Sequence, residues 1–226
     1  MQEFHPDFSA LPEVQRLLWP YLLDVPRGFM LYGGTALALR FGHRESVDFD
    51  FFGSDHFDPA GLQAAVPFLR EAVVATAERN MLTAWVTPLG TERQAKVSFF
   101  GGIAFPVLDE PGLVRENRLV VASIRDLAGT KAKAINDRIE LKDYLDIAEL
   151  LDHGLSMSTI VSAAVAIFGD AIDFVDTASA ITYFDSSDFS GFPENLKSKL
   201  RKAAIGVKRI DLGPPAYRGI ADACGL

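Results

Sequence analysis

Cysteine is almost absent: Cys224 is the one thiol in 226 residues, so no intramolecular disulfide can brace the chain, and a reducing cytoplasm is the expected compartment. Long apolar runs are missing too. The longest, around residues 160–168, is too short to cross a bilayer, so no membrane partner is expected. The opening residues, Met1-Gln2-Glu3-Phe4-His5-Pro6-Asp7, have neither the basic nor the apolar region of a secretory signal. Histidines number four, and His43 and His56 stand at no metal-ligand spacing from cysteine or another histidine; both read as surface residues. No Ser-His-Asp or Cys-His arrangement stands out. Positive charge is also short, with 22 Lys and Arg against 30 Asp and Glu and a net charge of −8. That balance argues against a protein that binds nucleic acid over its whole surface. The shortage is uneven, because Lys197, Lys199, Arg201, Lys202, Lys208 and Arg209 follow one another with no acid between them. Such a run is either a solvated helix face or a local patch that tracks phosphates, as an RNA acceptor would require.

What the chain does have is a hydrophobic content of 49% and 17 phenylalanines, enough for a substantial core in one large domain or two small ones. Apolar spacing predicts a helix over 8–23, a short buried strand over 29–32 and a helix over 35–41 that stops at Gly42. A strand follows over 47–52. The stretch 59–80 reads as one long amphipathic helix, and 82–88 with 93–100 as a hairpin-like strand pair. A last short strand is expected over 118–122. From Ser123 onward every segment has helical spacing: 123–136, 140–151, 156–168, 171–184 and 193–207. The expected organisation is an α/β region over 1–122, a mixed sheet covered by helices, and a helical region over 123–226.

Two acidic residues in the predicted strand set the chemistry. Strand geometry sends residues i and i+2 to one face, so Asp48 and Asp50 project together, with Val47, Phe49 and Phe51 on the other side. Carboxylates on an apolar strand are costly unless they gain a partner. A hard divalent cation is the fitting one, since magnesium takes one or two carboxylates and fills its other positions with substrate phosphates. Just upstream, Gly33-Gly34-Thr35 bends the strand into a helix, whose first N–H groups are suited to those phosphates. Arg40 and Arg44 flank the connecting loop, and Arg44, nearer the acids, is the better candidate for a phosphate contact. Many nucleotide-sugar glycosyltransferases also use an Asp-x-Asp metal site, but that alternative leaves Gly33-Gly34-Thr35 unexplained.

Two further groups lie downstream. On a helix, Lys131 and Arg138 are seven residues apart and share a face with Ile135 between them. They suit either neutralisation of a triphosphate or the passage of long stems over an apolar face. Asp143 and Asp146 are helical neighbours three apart. Favourable charge in a first helical turn explains one of them. Asp143 is the candidate for a base or for an ion-pair partner of Lys131 or Arg138.

The series Gly33-Gly34-Thr35, Arg44, Asp48-Phe49-Asp50, then Asp126, Lys131, Arg138, Lys142-Asp143 and Asp146 resembles the AbiEii-type nucleotidyltransferases of the DNA polymerase β-like superfamily. The resemblance covers roughly residues 28–152. It implies a mixed-sheet nucleotidyltransferase fold followed by a helical C-terminal region that completes the active site. It implies magnesium, or manganese, at Asp48 and Asp50, and a nucleoside triphosphate whose α-phosphate is attacked by an acceptor hydroxyl. Gly33, Gly34, Thr35, Arg44, Lys131 and Arg138 would bind the nucleotide, and Asp48, Asp50, Lys131 and Asp143 would carry catalysis. Members include toxins of toxin–antitoxin and phage-defence systems, some of which add nucleotides to transfer RNA, so a cognate antitoxin is an implied partner. The sequence departs from the superfamily pattern at one point. Where a third carboxylate commonly stands on a later strand, Lys96-Val97-Ser98 has Ser98. A small-molecule acceptor, as in aminoglycoside modification, and a catalytically silent domain of the same fold are the alternatives.

Overall fold

The computed structural model describes all 226 residues, and these form two compact units: Met1–Ser123 together with Ala216–Leu226, and Ile124–Pro215. The first is built on an eight-stranded mixed sheet. In chain order its elements are β1 (Gln2–Glu3), α1 (Glu13–Leu18), β2 (Phe29–Tyr32), α2 (Gly33–Phe41), β3 (Asp48–Gly53) and α3 (Pro59–Ala65). There follow β4 (Val73–Glu78), β5 (Met81–Val86), β6 (Ala95–Phe100), β7 (Gly112–Leu113) and β8 (Val120–Val121). The strands lie in the order β1-β7-β8-β2-β3-β6-β5-β4.

β3 is central, antiparallel to β2 and parallel to β6. Its residues alternate strictly between part-exposed and buried. Phe49 and Phe51 are fully buried, with Phe99 of β6 stacked on Phe51 at 5.1 Å between ring centres. Each such side chain contributes about 1.5–3 kcal/mol by leaving water, which is what holds the acid-bearing strand in place. Val47, expected on the same apolar face, precedes the strand and is exposed.

Three expectations fail for identifiable reasons. The long helix over 59–80 is replaced by α3, a 3-10 turn at Pro67–Leu69 and the edge strand β4. Pro67 cannot donate to a continuing helix, and Val73, Val74 and Thr76 are β-branched residues that favour the strand. The helix over 8–23 is likewise divided, into a 3-10 turn at Phe8–Ala10, α1 and a second 3-10 stretch at Trp19–Asp24, with Pro12 and Pro20 at the breaks. The helical region was expected to run to residue 226, yet 216–226 pack with the sheet unit. There Ile220 and Ala221 donate backbone N–H groups to Ser54 Oγ at 3.0 and 3.2 Å, and Tyr217 pairs with Val107. The last helix of the run ends at Ala203, and Gly213-Pro214-Pro215 lies in the non-helical stretch that leads back to the sheet unit.

The second unit is all helical: α4 (Ile124–Asp137), α5 (Leu141–Asp152), α6 (Met157–Phe168), α7 (Phe174–Thr182) and α8 (Glu194–Ala203). A short α9 (Ile220–Ala223) lies in the returning tail of the first unit. Within the helical unit α4 and α6 cross closely, because Gly129 has no side chain. A Cβ there would meet Ile167 Cδ1 at 2.7 Å and the Ala163 backbone at 2.8 Å. No single helix in the chain is long and apolar enough to cross a membrane.

Candidate active site

Two charged centres correspond to the two motif blocks, one in each unit. In the sheet unit, Asp48 and Asp50 stand together on one face of β3, both part-exposed. α2 begins beside them. Gly33 has φ +75°, a conformation that L side chains rarely adopt, and a Cβ on it would lie 2.6 Å from Asp50 Oδ2. The Asp50 carboxylate therefore rests against the first turn of α2, where unpaired N–H groups and the positive end of the helix dipole favour a negative charge. A Cβ on Gly34 would lie 2.6 Å from Arg44 Nη2, so the guanidinium covers the same turn, and its Nη1 donates to the Glu45 carbonyl oxygen at 2.9 Å.

The Thr35 side chain is engaged within the protein. It is fully buried, its hydroxyl donates to the backbone carbonyl oxygen of Asp48, and it lies 2.9 Å from Ser46 Oγ. It ties the start of β3 to α2 and so fixes where the two aspartates point. Arg40 is also structural. It donates to the carbonyl oxygens of Val121 and Ala122 and lies over the Phe4 ring at 4.7 Å.

The register across the sheet places Lys96 beside Asp48 and Ser98 beside Asp50. Lys96 Nζ is 3.5 Å from Asp48 Oδ2, with both side chains about a third exposed at 33% and 27%. Ser98 is buried, 3.3 Å from Thr83 Oγ1 of β5. The place of a third carboxylate is thus taken by a hydroxyl turned to its neighbour, and no group of three or more His, Cys, Asp or Glu side chains forms a metal-holding cluster. The two aspartates fit one divalent cation that draws its remaining ligands from phosphate and water.

In the helical unit the second motif block forms a closed centre. Lys131, 7% exposed at its side chain, reaches Asp143 Oδ1 at 2.8 Å and Asp146 Oδ2 at 2.7 Å, and both acids are fully buried. Arg138 Nε donates to Asp143 Oδ2 at 2.9 Å and also meets Glu140 at 3.1 Å, with about half its side chain open to solvent. Burial alone would raise the Asp143 carboxyl. The Lys131 charge and the hydrogen bonds from Arg138 and Lys131 outweigh it and hold the group below its ordinary value. Next to it, burial and the Asp143 charge push the Tyr144 phenol up to about 12.

Asp146 was the underrated member. Its spacing from Asp143 carried the signal, but the equal share it takes of Lys131 depends on α4 and α5 lying side by side. Ser46, as a brace for Thr35, left no mark in the sequence. The basic run 197–209 is half neutralised: Lys197 pairs with Glu194 at 2.8 Å, Lys199 with Asp152, and Arg201 with Asp185 at 3.5 Å. Lys202, Lys208 and Arg209 are exposed. Burial pushes the Cys224 thiol up to about 11, which disfavours the thiolate form.

With this geometry in place, comparison with known proteins gives a consistent picture. Residues 23–206 match the family described as "Nucleotidyl transferase AbiEii toxin, Type IV TA system". An uncharacterized protein of Aquifex aeolicus is 29% identical over 168 residues, which is 73% of this chain and 78% of that protein. Among solved structures, MenT4, a nucleotidyltransferase toxin from Mycobacterium tuberculosis, superposes with a TM-score of 0.60 at 15% identity, covering 86% of this chain and 83% of that one. A putative nucleotidyltransferase from H. pylori gives a TM-score of 0.54 at 16% identity, over 85% and 92% of the respective chains. The mixed sheet with its helices is thus a nucleotidyltransferase fold.

Proposed function

The chain belongs to the AbiEii nucleotidyl transferase toxin family, and from that premise we propose that it transfers a nucleoside monophosphate from a nucleoside triphosphate to a hydroxyl of RNA. The observation that carries this reading is the pair Asp48 and Asp50, part-exposed on one sheet face against the opening turn of α2. The acceptor oxygen attacks the α-phosphorus, the bond to the β-phosphate breaks, pyrophosphate leaves, and the hydroxyl proton passes to solvent. A divalent cation at the two aspartates, magnesium or manganese, supplies charge neutralisation on the phosphates.

The chain's own groups do the remainder. N–H groups of Gly33 and Gly34 and the Arg44 guanidinium receive phosphate oxygens, while Thr35 and Ser46 keep β3 aligned with α2. In the helical unit Asp143, with both oxygens engaged by cations, is poorly placed to act as a base. It orients Lys131 and Arg138, and half-exposed Arg138 is the member of that centre able to meet a phosphate. Exposed Lys202, Lys208 and Arg209 supply local positive charge for RNA on a chain that is acidic overall. A neutralising antitoxin and a cytoplasmic setting complete the reading.

The test is incubation of the protein with α-labelled nucleoside triphosphates, magnesium or manganese, and total RNA. Label is expected in RNA, and Asp48→Ala and Asp50→Ala are each expected to abolish it. Transfer that survives both replacements removes the proposed site. Label found on an aminoglycoside and not on RNA reassigns the acceptor.

A further inference from the structure

The row of side chains that holds Asp48 and Lys96 continues to an aromatic residue that phosphate chemistry leaves unused. β5 pairs with β6 so that Trp85 lies beside Lys96, as Lys96 lies beside Asp48. Laterally paired residues share a sheet face, and strands are about 4.8 Å apart, so the Trp85 position is roughly 10 Å along the row from Asp48. The indole is 39% exposed. Its neighbours Ala84 and Val86, on the opposite face, are buried, at 0% and 3% exposure, so Trp85 is the open residue of this part of β5. The other tryptophan shows the contrast: Trp19 is 5% exposed and packs its ring against Phe8 and Phe49.

We propose that Trp85 is a stacking platform for a nucleobase, either that of the triphosphate or that of the acceptor nucleotide. The row presents a carboxylate for a cation, an ammonium group and then a part-exposed indole, which is the order of phosphate and base in a nucleotide. Every base has a π-face, so an indole in this place gives affinity with little choice among bases. This inference rests on the assignment of phosphate chemistry to Asp48 and Asp50.

The experiment uses the full chain carrying Trp19→Phe, which leaves Trp85 as the sole indole reporter. A non-hydrolysable triphosphate with magnesium, and separately a short oligoribonucleotide, are titrated while indole emission and its access to acrylamide are followed. Calorimetry of the same ligands is run on the wild type, Trp85→Ala, Trp85→Phe and Asp48→Ala. The expected result is quenching and acrylamide protection by one ligand, which identifies the source of the base. Trp85→Ala should weaken that ligand roughly tenfold, the scale of one aromatic stack, and Trp85→Phe should recover most of the loss. Asp48-dependent triphosphate binding with an unaltered indole and wild-type affinity for both ligands in Trp85→Ala overturns the platform and leaves the phosphate site standing. Absence of triphosphate binding by the wild type overturns both. Protection that rises with protein concentration alone assigns this face to a protein contact and overturns the platform.

Discussion

Asp48 and Asp143 are both aspartates with a lysine in reach, yet their surroundings are opposite. Asp48 is part-exposed, with Lys96 at 3.5 Å, on a sheet face where its companion Asp50 has Ser98 beside it in place of an acid. Asp143 is fully buried and held by Lys131 at 2.8 Å and Arg138 at 2.9 Å, with Asp146 sharing the same lysine. The difference follows from desolvation. A charge taken out of water needs a full set of partners within the protein, whereas a charge left at the surface keeps water and can exchange it for a ligand. In the proposed reading the first centre receives a ligand, while the second holds Lys131, Asp143 and Asp146 in place.

Replacing the two lysines separates these roles. Lys131→Met leaves two buried carboxylates short of a cation, and chemical denaturation should show a loss of about 3–5 kcal/mol, the range for one partner removed from a buried pair. Lys96→Met removes one member of a part-exposed pair and should alter stability by less than about 1 kcal/mol. Equal losses would erase the distinction between the centres.

A smaller effect is expected with pH. The folded Asp143 carboxyl lies below its ordinary value of 3.8. Its contribution to stability is thus complete above that value and is lost as the pH falls through the folded value. Acid unfolding measured below pH 3.8 should be steeper for the wild type than for Asp143→Asn. Tyr144 shifts the other way: ultraviolet titration should find its phenol ionising at about 12 and not at 10.0. Its stabilising effect is present below 10.0 and is lost as the pH rises toward 12.

Much of the first centre was legible in the sequence because it is local. Gly33, Gly34, Asp48 and Asp50 lie within one strand–helix–strand passage, and period-two alternation around Phe49 and Phe51 fixes which way the acids face. Ser98, on β6, is not local to that passage; it stood out only against the pattern of the family that the sequence resembles. The second centre was legible only as a list of residues, since its closure depends on α4 meeting α5, and spacing along one helix cannot show that. β4 was misread because Val73, Val74 and Ala77 satisfy a helical stripe as well as a strand. Its pairing with β5, closed by a turn in which Asn80 has φ 63°, settles the matter only in three dimensions. Trp85 had no sequence signal at all, for an aromatic in a strand is ordinarily core.

The most direct test is calorimetric or paramagnetic measurement of manganese binding, in the presence of a non-hydrolysable triphosphate, to the wild type, Asp48→Asn and Asp50→Asn. One ion bound by the wild type and lost in each variant, with thermal midpoints little changed, is what an open two-carboxylate site requires. Manganese binding that persists in both variants, or fails in the wild type, contradicts it.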